Sequence, residues 1–302
     1  MNYLYFPGCS LKGTGRAYED SILSVFKGLQ LPLEELDDWN CCGATSYMAI
    51  SEMKAFALSA RNLALAQKQA HSRENCGLVT PCAACYLVLI KTQKYLEEFP
   101  QIGDKIKAAL KAANLDYGGK VRVRHPLDVL ANDFGPEKLA SFVKKPLKGL
   151  KVACYYGCQI VRPYAEFDDQ HNPTTMNRIM HALGAQTIDW PLKTRCCGGS
   201  LTGTIQEVGM RLSYILLREA SRLGADVVAT ACPLCQFNLE CYQKQMSREF
   251  EDAISIPVVY FSQLVGYAMG LPEKELGMKR LFVPFEFNPV AEPAKGGVHV
   301  GI

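Results

Sequence analysis

The sequence predicts an α/β protein of two tandem, pseudo-repeated halves, each with a mostly parallel sheet and with thiols gathered at the carboxyl ends of its strands. Three observations carry this expectation. Cys-Cys-Gly occurs twice, at Cys41-Cys42-Gly43 and Cys196-Cys197-Gly198, each copy preceded by a lone cysteine and followed by Cys-x-x-Cys. Short apolar runs alternate with stretches whose apolar residues recur every three to four positions, the signature of βαβ units. The cysteines fall where such a run ends and a helical stretch begins, and open parallel sheets bind ligands at that edge.

Taken in order, residues 2–6 form the first strand and lead to Cys9. A helix over 14–29 follows, then an extended piece over 31–36 that ends near Cys41. Residues 45–70 read as one long helix, with Phe56 and Leu63 on one face. A strand over 77–80 meets Cys82, and the Cys82/Cys85 pair opens a helix over 84–96. A strand over 121–124 and a helix over 125–132 close the half. The second half repeats this order. Strand 151–156, helix 174–183 and extended piece 186–190 come first. Helix 203–223 follows, with Met210, Tyr214 and Leu217 on one face. Strand 226–230, helix 236–248, strand 257–261 and helix 262–269 complete it.

The two cysteine sets are displaced by 149 residues (Cys9 to Cys158), 155 (Cys42 to Cys197) and 150 (Cys82 to Cys232). Flanking residues repeat too: Tyr5-Phe6-Pro7-Gly8-Cys9 matches Tyr155-Tyr156-Gly157-Cys158 with one deletion. Self-similarity at a fixed period means duplicated units. The stretch 135–149, with Pro136, Pro146 and four lysines, marks the boundary, giving domains over 1–145 and 146–302. After Pro284 the chain has Pro289, Pro293, Gly296 and Gly297 and no periodicity, so an extended C-terminal tail is expected.

Across 302 residues, 48% are hydrophobic and 21% charged, a normal soluble composition, and the net charge of +3 is far from a nucleic-acid binder's. No apolar run approaches the roughly 20 residues that span a bilayer, and the N-terminus lacks the features of a signal peptide. A cytoplasmic location is expected. Thiols at this density in a reducing compartment hold metal or do redox chemistry more often than they form structural bridges.

Ten of the thirteen cysteines make two sets of five: Cys9, Cys41, Cys42, Cys82 and Cys85, then Cys158, Cys196, Cys197, Cys232 and Cys235. Adjacent cysteines do not bond stably to each other, which disfavours disulfides. Zinc takes four N or S ligands, one fewer than each set offers, so zinc in one half stays an alternative. A four-cysteine cubane would leave a thiol over. The vicinal pair suits a cluster with closely spaced irons of unequal coordination. Cys76, Cys154 and Cys241 lie outside the pattern and read as packing residues.

The order Cys, Cys-Cys-Gly, Cys-x-x-Cys, with intervals of 31 and 39 residues in one half and 37 and 34 in the other, resembles the cysteine-rich CCG domain. Two intact tandem copies over nearly the whole chain resemble the B-subunit family of heterodisulfide reductase. The resemblance implies that each five-cysteine set holds one noncubane [4Fe-4S] cluster, built from fused [3Fe-4S] and [2Fe-2S] pieces. It implies a catalytic iron–sulfur component that reduces a disulfide, the mixed disulfide of coenzymes M and B or a related one, by one electron from each cluster. It also implies two partners in a multi-subunit complex: a small ferredoxin-like [4Fe-4S] protein of the C type and a flavin-containing protein of the A type. An electron-relay or scaffold role and a thiol-oxidising homologue in sulfur metabolism remain alternatives.

Thiol cofactors carry anionic groups, so bases near the cysteines are candidate substrate contacts: Lys12 and Arg16 after Cys9, Arg162 after Cys158, and Arg195 before Cys196. A solvated surface base is the plain alternative for each. His171 and His125 are candidates for proton delivery, against a purely structural role. No Ser-His-Asp or Cys-His arrangement and no complete phosphate loop accompanies them; Lys12-Gly13-Thr14-Gly15-Arg16 lacks the full spacing.

Overall fold

The computed structural model describes residues 3–70 and 76–287. The first half runs β1 (Tyr3–Tyr5), α1 (Gly8–Leu11), α2 (Arg16–Gly28), β2 (Leu33–Glu35), α3 (Ser46–Ile50), α4 (Glu52–Ala70), β3 (Gly77–Val79), α5 (Ala83–Glu98), α6 (Pro100–Ala112), β4 (Arg122–Arg124) and α7 (Pro126–Asp128), the last continuing as a π-helical turn, Val129–Phe134. After α8 (Pro136–Ala140), the second half runs β5 (Lys151–Tyr155), α9 (Thr175–Ala182), β6 (Gln186–Thr187), a 3₁₀ turn (Gly199–Gly203), α10 (Gln206–Arg222), β7 (Val227–Thr230), α11 (Pro233–Cys241), α12 (Gln243–Glu249), β8 (Val258–Tyr260) and α13 (Phe261–Ala268).

Two four-stranded sheets result, ordered β2-β1-β3-β4 and β6-β5-β7-β8, with every strand pair parallel. The central strands β1, β3, β5 and β7 are apolar because helices cover both faces, and they are buried apart from Lys151 at the start of β5. In this strand order the chain leaves β1 to one side for β2 and to the other for β3. Helices on opposite faces therefore open a crevice at the carboxyl ends of β1 and β3, where Cys9 and Cys82 follow. The same switch lies between β5 and β7, ahead of Cys158 and Cys232.

The halves pack as a pseudo-symmetric pair. Helix α2 of the first half lies against α13 of the second, and α9 of the second against α7, its π turn and α8. Tyr18 stacks on Tyr260 with ring centroids 4.2 Å apart, and Ser21 Oγ meets Ser262 Oγ at 2.6 Å, both pairs buried. Apolar burial of this kind is the dominant favourable term in such packing.

Several elements differ from the sequence expectation. The helix expected over 45–70 breaks at Ser51, whose extended backbone (φ −160°, ψ 103°) separates α3 from α4. The helix expected over 203–223 starts at Gln206, after the 3₁₀ turn over Gly199–Gly203. The helix expected over 236–248 begins earlier, at Pro233, and breaks at Tyr242. Pro233 suits the first helical turn, where its missing N–H has no partner to lose. Helix α6 lies outside the expectation; Pro100 opens it, and Gly103, Ile106 and Leu110 form its buried stripe. The boundary stretch 135–149 holds α8. At the start of the expected tail, Phe285 and Phe287 dock on Tyr267; the rest, from 288, lies outside the described residues.

Candidate functional site

Each set of thiols is assembled by backbone that only glycine serves well. Gly8 (φ +66°) and Gly157 (φ +68°) turn the chain from the first strand of each half toward its lone cysteine. A Cβ on Gly8 would sit 3.0 Å from Cys85 Sγ, and one on Gly157 would sit 3.1 Å from Cys235 Sγ. Gly43 (φ +81°) and Gly198 (φ +100°) follow the vicinal pairs. Their Cβ atoms would meet the backbone of Ala55 and Gly209 at 2.9 Å, so each Cys-Cys-Gly loop lies flush on its long helix.

The thiols converge. Cys42 Sγ lies 3.1 Å from Cys85 Sγ, and Cys197 Sγ 3.6 Å from Cys235 Sγ, the same pair in each half. Cys82 and Cys232 are within hydrogen-bonding reach of each other, so the two sets meet across the interface between halves. Cys158 pairs with Cys196, and Cys41 with Cys42. Cys9 is exposed. Among the described residues, no three His, Cys, Asp or Glu side chains gather at one ion-sized point. The sulfurs form a chain instead, from Cys41 through Cys42, Cys85, Cys82, Cys232 and Cys235 to Cys197, which spreads them along the crevice.

Electrostatics favour thiolates at chosen positions. Donation from the Cys41 and Cys85 thiols pushes the Cys42 thiol down to about 4. The Cys158 thiol, the Gly198 N–H (3.3 Å) and the Arg162 charge bring Cys196 down to about 6 against the effect of burial. Asn238 Nδ2 donates to Cys197 Sγ at 3.4 Å. Cys82 and Cys232 are the N-cap residues of α5 and α11; donation from the Cys232 and Cys85 thiols lowers Cys82, whereas Cys232, despite donation from Cys235, is pushed up to about 11 by Cys82 and burial. Sulfur held as thiolate is the form that binds metal.

A cavity of about 410 Å³ opens onto the second set. All five of its cysteines line it, together with Thr45, Met48, Ala49 and Ala83 of the first half. A larger cleft of about 720 Å³ lies between α5, α6 and β4, but no cysteine lines it, and its Arg124 is tied to Asp128 and Asp133. Size alone therefore points away from the chemistry, and the smaller cavity is the candidate site.

None of the candidate basic residues lines that cavity, and Arg162 alone directs its charge at one of the cysteines that do. Lys12 Nζ pairs with Glu19 at 2.7 Å and Glu35 at 2.8 Å. Arg16 pairs with Glu19 and Asp20. Arg162 donates to Thr194 O and turns its charge on Cys196. Arg195 is exposed, and its carbonyl accepts from Tyr155 Oη at 2.6 Å. His171 is exposed on a loop pinned by Asp169. His125 is fully buried. Its Nδ1 accepts from Leu127 N, so Nε2 carries the proton, 3.1 Å from Pro81 O and 3.2 Å from Ala231 O. Burial pushes its pKa down to about 4, so it is a neutral clamp between the halves rather than a proton donor. Cys154 is buried and its thiol pushed up by desolvation; Cys76 is buried; burial raises Cys241 to about 11. Sequence reasoning missed the first-half wall of the cavity, because Thr45, Met48 and Ala49 carry no motif and reach the second set only through packing of the halves.

Comparison with known proteins agrees with this duplicated construction. The Cysteine-rich domain model (CCG) matches twice, over residues 3–90 and 152–240. The membrane anchor subunit of the 8-methylmenaquinol:fumarate reductase of Wolinella succinogenes is 35% identical over 91% of this chain and 95% of its own length. The B subunit of the ferredoxin/F(420)H(2)-dependent CoB-CoM heterodisulfide reductase of Methanosarcina acetivorans is 30% identical, with 91% of each chain covered. A heterodisulfide reductase B-subunit-like protein of Archaeoglobus profundus is also 30% identical, over 92% of this chain and 94% of its own. A crystal structure of a hypothetical protein from Helicobacter pylori shares the fold, with a TM-score of 0.74 at 15% identity, covering 95% of this chain and 53% of that one. With both cysteine-rich repeats matched and relatives similar from end to end, the chain belongs to the CCG cysteine-rich domain family, in the tandem form of the heterodisulfide reductase B-subunit proteins.

Proposed function

We propose that the chain is the iron–sulfur component of an oxidoreductase complex and reduces a disulfide. The observation that carries this reading is the cavity that five cysteines of one half and four residues of the other line together. Cys9, Cys41, Cys42, Cys82 and Cys85 would hold one noncubane [4Fe-4S] cluster, and Cys158, Cys196, Cys197, Cys232 and Cys235 a second, within units spanning 1–145 and 146–302. The donor set fits such a group: it is all sulfur, partly held as thiolate, and spread along a crevice rather than closed on one ion. Bound there, the two clusters supply one electron each, which together match the two electrons a disulfide takes up as its S–S bond breaks to two thiols.

The chain's own groups do the rest. Met48, Ala49, Ala83 and Leu234 give the cavity an apolar side, which suits the carbon chain of a thiol cofactor. Arg162 places positive charge beside Cys196 and suits an anionic thiol cofactor, such as the mixed disulfide of coenzymes M and B. Lys12, Arg16, Arg195 and His171 would act only at the approaches. Electrons would come from a small [4Fe-4S] partner and a flavin-containing one in the cytoplasm.

A second reading rests on the fumarate reductase relative, which is named a membrane anchor. In that reading the chain relays electrons or docks an enzyme at a membrane, although no described helix is long and apolar enough to cross one. The test is the iron, zinc and acid-labile sulfide content of anaerobically purified protein, followed by EPR of the oxidised form with added thiol. Iron and sulfide for two clusters, with a thiol-dependent signal, support disulfide chemistry. The same content without a thiol response favours the relay. Zinc without sulfide overturns both.

A further inference from the structure

Among the described residues, four buried side-chain oxygens lack a hydrogen-bond partner: Glu19 Oε2, Ser59 Oγ, Thr80 Oγ1 and Thr230 Oγ1. Two stand apart. Glu19 Oε2 is ion-paired with Arg16 at 3.0 Å. Ser59 corresponds in the repeat to Ser213, which donates to Cys197 O at 2.9 Å, so only one member of that pair is unpaired. The threonines are different, because they are each other's counterparts and both are unpaired.

Thr80 and Thr230 stand at the ends of β3 and β7, each two residues before the first cysteine of its Cys-x-x-Cys pair. Both are fully buried. Leaving a hydroxyl unpaired in such a place costs about 1–3 kcal/mol, and an isosteric valine would avoid it. The protein carries that cost twice, at equivalent positions. The strand ends are held in place, because His125 bonds the carbonyls of Pro81 and Ala231, the residues between each threonine and its cysteine. Cys82 and Cys232 follow two residues on as the N-cap residues of α5 and α11, so each unpaired hydroxyl is held within two residues of a cysteine of the site.

We propose that Thr80 and Thr230 are positioning residues whose O–H groups donate to sulfur of the iron–sulfur group held by Cys82 and by Cys232. The inference rests on the cluster reading above. Hydrogen bonds to cluster sulfur stabilise the reduced, more negative state and so raise the reduction potential.

The experiment compares full-length Thr80→Val, Thr230→Val, Thr80→Ser and Thr230→Ser with the parent protein, after iron and sulfide have been measured in the parent. The readout is the reduced fraction of each cluster by EPR across a potentiometric titration. Each valine substitution is expected to lower the reduced-to-oxidised ratio of one cluster at fixed potential by about tenfold, equivalent to about 59 mV for one electron. The serine substitutions restore the parent ratio. Valine variants that keep both clusters with unchanged potentials overturn the donor role. A parent protein without iron and sulfide overturns the cluster reading instead. Should a valine chain fail to take up iron, Thr80→Ala and Thr230→Ala decide by the same comparison with serine.

Discussion

Pro81 and Ala231, which precede the Cys-x-x-Cys pairs of the two halves, present their carbonyl oxygens to one ring nitrogen, His125 Nε2, at 3.1 and 3.2 Å. A single buried proton thus ties together the two strand ends that carry the thiols. His125→Phe would keep the ring volume and the contact with Phe167 but leave Pro81 O without its donor, at a cost of about 1–3 kcal/mol. His125→Ala adds a cavity and should cost about 3 kcal/mol or more. Denaturant midpoints of the two variants check this; a parent-like midpoint for His125→Phe would remove the clamp from the account.

The glycines before the lone cysteines should be equally intolerant. Gly8→Ala and Gly157→Ala each force a side chain into positive φ, costing about 1–2 kcal/mol, and press a methyl onto the Cys85 or Cys235 sulfur. Each is expected to deplete iron and sulfide in its own half by roughly half of the total content, which elemental analysis reads directly. Full content in both variants would show that the cradle is looser than its geometry.

How much of this was legible in advance depended on what each feature needs. The central strands β1, β3, β5 and β7 follow from local pattern as short, mainly apolar runs ahead of the cysteines, whereas β2 (Leu-Glu-Glu), β4 (Arg-Val-Arg) and β6 (Gln-Thr) are polar and are legible only from their place in the repeat. Ser51 and Tyr242, where helices break, carry no breaker residue; tertiary packing decides them. The role of His125 was not readable, because both of its carbonyl partners, Pro81 and Ala231, are distant in sequence and bear no side-chain signal. The same holds for Met48 and Ala49, which reach the second thiol set only because the halves pack face to face.

The repeat also assigns Cys158, rather than Cys154, as the counterpart of Cys9, and the structure gives the two cysteines different settings. Cys154 lies within β5, fully buried with no thiol partner, whereas Cys158 pairs with Cys196. Cys154→Ala should leave iron content unchanged and cost only about 1 kcal/mol of packing. Cys158→Ala should reduce iron content. Mössbauer or elemental analysis of the two variants side by side separates them, and loss of iron in Cys154→Ala would reverse the assignment.

Occupying the cavity from the first half should impair substrate use without touching a thiol. Ala49 is exposed and lines the space over the second set. Ala49→Trp is expected to raise KM for a disulfide substrate by about tenfold, near 1.4 kcal/mol of lost binding, with cluster content preserved. Unchanged KM would place the substrate elsewhere.

The C-terminal segment supplies a pH dependence that can be measured apart from the thiols. Glu240 accepts from Phe282 N at 2.9 Å and from Val283 N at 3.3 Å, and Gln236 donates to its other oxygen. Burial still pushes its carboxyl up to about 7, above the ordinary 4.5. A raised carboxyl pKa means the folded state binds the proton more tightly than the unfolded chain, so its stabilisation is complete below about pH 4.5 and is lost as pH rises through 7. Glu240→Gln keeps an oxygen for the two backbone donors and removes the ionisation, and the Gln236 amide can turn to offer its oxygen to the new NH₂ group. The variant should match the parent at low pH and exceed it above pH 7, by at most about 3 kcal/mol. Urea midpoints at pH 5 and pH 8 decide the matter: a parent-to-variant difference that does not grow between them would mean that Glu240 is ionised in the folded protein at both, held so by its three donors against the cost of burial.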